Sequence, residues 1–127
     1  MSLVENLKEH SEELGNGVEK KRVSDLEARL TISIPKDFTE YLFELNYAEV
    51  FGDPIYGIHP DDEVLDLYSQ NKNMEHFRYG FLEVFANDID GVIYIRPDTG
   101  AVYNANFGRP IANSFTEFVE MLLSEGS

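Results

Sequence analysis

The stretch Phe81-Leu82-Glu83-Val84-Phe85-Ala86-Asn87-Asp88-Ile89-Asp90-Gly91-Val92-Ile93-Tyr94-Ile95 decides the fold. Its flanks, 81–86 and 91–96, are dense in β-branched and aromatic side chains, which suit a pleated, half-buried surface. Between them Asn87-Asp88-Ile89-Asp90 is a turn sequence. Asp90-Gly91 favours a type I′ or related hairpin, because glycine accepts a positive φ without steric cost. A second turn, Pro97-Asp98-Thr99-Gly100, leads into Ala101-Val102-Tyr103, so the economical assembly is a three-stranded antiparallel meander. Arg109-Pro110-Ile111-Ala112 reads as a short edge strand, where proline's missing donor does least harm. Ser114 and Glu117 then stand at capping-box spacing and open a closing helix with Phe115, Phe118, Val119, Leu122 and Leu123 on one face.

Upstream the period is helical. Leu3, Val4, Leu7 and Leu14 fall near one side of a helical wheel, and Gly15-Asn16-Gly17 ends that helix. Lys20-Lys21-Arg22 reads as a solvated connection, and Ser24 with Glu27 as a capping box for a second helix through Leu30. Pro35 suits the first turn of a third helix carrying Phe38, Tyr41, Leu42 and Leu45 and stopping near Asn46. Residues 48–51, a Gly52-Asp53-Pro54 turn and residues 55–58 read as a hairpin. Pro60-Asp61-Asp62-Glu63 reads as an acidic helix start with Asp61 or Asp62 as cap, followed by Val64, Leu67, Tyr68, Met74 and Phe77 as an interrupted apolar stripe that frays around 69–73. The class is α+β: a single domain with an antiparallel or mixed sheet of about five to six strands, flanked by N-terminal, middle and C-terminal helices.

Composition narrows function. A chain of 127 residues suits one core, and 43% hydrophobic residues supply enough apolar surface for it to fold without staples. The absence of cysteine excludes disulfides, thiolate zinc sites and thiol nucleophiles together. No basic start followed by an apolar run is present, and no stretch is long enough to span a bilayer, so a cytoplasmic protein is expected. Ten Lys and Arg against 24 Asp and Glu leave a net charge of -14. That field repels nucleic acid and anionic membranes and speeds encounters with basic proteins. The ends, Met1-Ser2-Leu3 and Glu125-Gly126-Ser127, read as cloning scars.

Ser24 to Leu30, Ile34-Pro35-Lys36-Asp37-Phe38, Asp88 to Ile95, Gly100-Ala101-Val102-Tyr103 and Ile111 to Phe118 stand in an order that resembles the SUKH superfamily. The likeness places the SUKH-like domain at 24–124, with 1–23 as an N-terminal helix and polar connection of the same domain and 125–127 as a tail. It implies an α+β fold and a bacterial immunity protein that neutralises a polymorphic toxin; the superfamily also holds a fungal cell-wall synthesis regulator, which makes a regulatory interaction module the alternative. Two departures stand out. Tyr47 follows Asn46 where many members carry Gly, and the chain has no Trp.

Chemistry is sparse. His10, His59 and His76 share no ligand spacing. His59-Pro60-Asp61-Asp62 is the one segment that could poise a base or bind a metal, as in a small metal-dependent hydrolase. Asp88-Ile89-Asp90-Gly91 fails the calcium-loop pattern, since Ala86 stands at the first ligand position. No nucleophile elbow or phosphate loop is present. The expectation is therefore no catalytic residue, no metal and no cofactor. A binding face is drawn from Asp53, Tyr56, His59, Asp61, Asp62, Asp66, Tyr68, Asp88 and Asp90, whose carboxylates would engage Lys and Arg while tyrosines anchor. The expected partner is a cognate toxin, with a basic nuclease domain as one candidate, met by a monomer or weak homodimer.

Overall fold

The computed structural model describes residues 2–125. Helix α1 (Leu3–His10) is capped by Ser2, whose Oγ accepts from the Glu5 N–H while Glu5 Oε1 accepts from the Ser2 N–H. Leu3, Val4 and Leu7 are buried, so Leu3, read as part of a cloning scar, belongs to the core. The helix ends four residues before Leu14, which is 42% exposed. The chain then runs extended along the end of α3 (Lys36–Glu44), with Gly15 N–H on Tyr47 O, Gly17 N–H on Leu45 O and Val18 N–H on Leu42 O. Gly17 has φ 80°, and a Cβ there would collide with the Phe43 carbonyl, so the two backbones meet only through glycine.

Helix α2 (Lys20–Leu30) starts at Lys20, inside the stretch read as a connection, and Ser24 is interior. Glu27 is not its capping partner: its Oε2 accepts from the Ile34 N–H at 2.8 Å and fixes the turn between α2 and α3. Pro35 does open α3, as its fixed φ suggests. Phe38 sits fully buried at the centre, edge-on to Tyr41 and Phe115 with centroids 5.4 and 5.3 Å away. Asp37 reaches across to helix α6 (Phe115–Glu125), where its Oδ2 accepts from Thr116 N–H and Oγ–H. A carboxylate at that N-terminus complements the helix dipole. Ser114 caps α6 as expected, but the Glu117 carboxylate bonds Asn113 N–H rather than returning to Ser114.

The strands form two sheets rather than one of five or six. β1 (Glu49–Val50) and β2 (Asp53–Pro54) make an antiparallel pair, and β3 (Leu82–Asn87), β4 (Gly91–Ile95) and β5 (Val102–Tyr103) make the expected meander. The 109–112 edge shrinks to a single antiparallel bridge, Val102 with Ala112. The register slips between Glu83 and Phe85, so Val84 is a bulge. Its carbonyl accepts from Tyr56 N–H, which ties the segment after β2 to the large sheet without extending it.

No helix forms at 60–66, the segment read as an acidic helix start. Asp62 Oδ1 accepts from Val64 N–H in a local turn, and Val64 is 70% exposed. The helix begins later, as α4 (Leu67–Asn71), and its cap is Asp66, not Asp61 or Asp62. A short α5 (Glu75–Arg78) follows. Of the expected tail, Glu125 lies in α6, and 126–127 are outside the described residues.

Candidate functional site

The nine residues proposed as one binding face fall in several places. Three of them converge. Asp53, Asp88 and Asp90 line a groove of about 420 Å³ together with Phe51, Ile89 and Glu125, where the β1–β2 turn, the β3–β4 turn and the end of α6 meet. Local sequence dictates each wall. Val50 pairs with Asp53, which leaves a two-residue turn, Phe51-Gly52, with φ of 52° and 86°. Two consecutive positive values are the type I′ pattern, so that turn closes β1–β2 and Asp53-Pro54 serves as strand. The β3–β4 connection is instead a three-residue loop: Asn87 pairs with Gly91, Gly91 has φ 75°, and Asn87 Oδ1 accepts from the N–H groups of Ile89 and Asp90.

Both turns put apolar side chains into solvent. Ile89 is 93% exposed and Phe51 64%. Phe51 also holds a left-handed conformation that disfavours a bulky side chain. Partial burial, with Asp88 and Glu49 nearby, raises the Asp53 pKa above its ordinary value. Among the described residues no cation lines this groove.

Asp66 and Tyr68 belong to a different cavity, a cleft of about 370 Å³ between α2, the 58–66 loop and α4. Buried Asp66 accepts from His59 N–H, Ser69 N–H and Ser69 Oγ–H, at 2.9, 3.1 and 2.8 Å, so its carboxylate shapes the loop. The Arg29 guanidinium lies 3.9 Å from the Tyr68 ring centroid and Lys72 Nζ 5.2 Å from it. Arg22 also lines the cleft. Arg22 and Arg29 come from α2 and Lys72 from the C-cap of α4, far apart in sequence, and the reading of the sequence missed them. The one available signal was Lys20-Lys21-Arg22.

Tyr56 is buried beneath the large sheet's outer face, where its hydroxyl donates to Glu83 Oε2 at 2.7 Å. Burial, with that bond to Glu83, raises the phenol pKa further. His59 Nε2 lies 2.8 Å from the Asn46 carbonyl, and Asn46 in turn bonds both N–H and C=O of Ile58. The imidazole therefore braces the loop that follows α3. Asp61 and Asp62 are exposed, and among the described residues no hydrogen bond joins His59 to Asp61. No group of three or more potential ligands is placed to hold a metal among the described residues.

Asn71 joins α4, one wall of the cleft, to β3, whose far end leads into the groove. Fully buried, it donates to the carbonyls of Leu67 and Glu83 and accepts from Glu83 N–H at 2.7 Å. That fastens α4 to β3. Because Oδ1 can only accept, His76 Nε2, 2.9 Å away, is the donor, and burial lowers the His76 pKa.

Among the described residues no helix is long and apolar enough to cross a membrane. Residues 17–121 match the SMI1 / KNR4 family (SUKH-1), and the chain belongs to that family. No curated protein sequence matches the chain.

Proposed function

We propose that this SUKH-1 member is an immunity protein that binds a cognate bacterial toxin stoichiometrically, and that the groove of Asp53, Asp88 and Asp90 is its toxin-facing surface. The carrying observation is the pairing, in one groove, of solvent-exposed Phe51 and Ile89 with carboxylates and no cation. Large apolar side chains left in water beside charge are what a protein interface uses as anchors and steering groups. A toxin domain with a basic surface fits, since a chain of net charge -14 accelerates that encounter. The protein acts by docking, in the cytoplasm, and not by catalysis.

Co-expression with a candidate toxin from a neighbouring reading frame tests this. Wild-type chain should restore growth and co-purify in a 1:1 complex, while Phe51→Asp with Ile89→Asp should fold normally and fail at both. Failure of the wild-type chain to protect overturns the immunity reading. Undiminished protection by the double variant overturns the choice of groove.

A further inference from the structure

We infer that the cleft between α2 and α4 is a binding site for a small phosphate-bearing ligand, separate from the toxin-facing groove. The chain has 24 carboxylates for ten Lys and Arg, so a cation ought to find an acidic neighbour easily. Among the described residues the one Lys or Arg ion pair is Arg96 with Asp98. Arg22, Arg29 and Lys72 nevertheless line a single cleft without an ion pair. Two of them lie within 5.2 Å of one ring centroid, that of Tyr68. Cations gathered in this way repel one another, and an anion between them offsets that repulsion.

The Arg29 Cζ lies 3.9 Å over the Tyr68 ring centroid, and a guanidinium held on an aromatic face keeps N–H donors for an oxyanion. Arg supplies a planar fork and Lys a mobile point charge, the combination that phosphate oxygens accept. The volume, about 370 Å³, suits a small molecule. Asp25 and Glu63 also line the cleft and set its selectivity. Together with the net charge of -14, they oppose an extended polyanion such as RNA while a compact ligand fits between the cations. Asp66, the third carboxylate there, is occupied by its donors from His59 and Ser69.

Pyrophosphate titrated calorimetrically into the full chain at constant ionic strength is the test, with inorganic phosphate, succinate and a short single-stranded RNA as companion probes. One saturable site for pyrophosphate is expected, weakened about tenfold or more by Lys72→Met and by Arg29→Lys, and tightened several-fold by Asp25→Asn. Lys72 and Arg29 are exposed, so circular dichroism should show both variants folded. Absence of saturable heat, equal affinity in the two cation variants, or binding of succinate or RNA as tight as pyrophosphate each overturns the assignment. Toxin protection by Lys72→Met should stay at the wild-type level, which separates this site from the groove.

Discussion

The groove and the cleft hold charge in opposite ways. In the groove, carboxylates come from the start of β2, the β3–β4 loop and a helix end, share their space with exposed Ile89 and Phe51, and among the described residues have no counter-ion beside them. In the cleft, cations stand on two helices around the ring of Tyr68, with carboxylates interleaved. Turns present side chains with few internal contacts, whereas helices fix theirs by packing. The difference teaches that a strongly acidic chain is not uniformly acidic at its surface. Net charge sets which partner approaches, and local geometry sets what each cavity holds.

Four variants test how separate the two regions are. Asn71→Ala should have the largest effect, a loss of about 3 kcal/mol in urea denaturation, because it strands buried backbone groups of Leu67 and Glu83 at once. Since Asn71 joins α4 to β3, both regions should loosen together. Hydrogen exchange confined to α4 would show instead that the cleft opens by itself. Asp88→Lys combined with Asp90→Lys should slow capture of a basic partner by tens-fold at low salt, about 2 kcal/mol, with only a small drop in melting temperature from the lost Asn87 Nδ2–H bond to Asp90 Oδ2. Equal rates in stopped-flow mixing would remove the groove from the encounter.

Asp66→Ala should cost about 1 to 2 kcal/mol, through the lost cap of α4 and the orphaned His59 N–H. It should disturb the cleft and leave partner capture intact. The smallest effect belongs to Asp53→Asn. Burial raises the Asp53 pKa in the folded chain, so the native state takes up its proton first as pH falls. The penalty of holding the charge is therefore complete at neutral pH and vanishes below the ordinary carboxylate range. Asp53→Asn should stabilise the chain by less than about 1 kcal/mol at neutral pH, with the gain gone in acid melts.

Much of the fold was legible where one local rule acted alone. Pro35 opened α3, Ser114 capped α6, and the runs on either side of Asn87 to Asp90 paired as a meander. Reading failed where a side chain had two possible partners. Ser24 and Glu27 have capping spacing, but Glu27 bonds Ile34 N–H, and α2 starts at Lys20 with no side-chain cap to mark it. Asp61 or Asp62 was read as the cap, whereas the bond from Ser69 N–H gives that role to Asp66. The binding face was harder still. Asp53 and Asp88 are adjacent only because two turns from different sheets meet, while Tyr68 was drawn into another cavity by Arg29. Spacing along a chain carries no record of such long-range encounters.

The two turn tips have one more consequence. Because Ile89 and the Phe51 ring lie mostly in solvent, exchanging them leaves the buried scaffold unperturbed, so these sites can vary at little cost to folding. Gly17 has no such liberty, since another residue there would drive two backbones apart. A lineage chasing a changing adversary would be expected to rewrite the tips generation by generation while that glycine stays still.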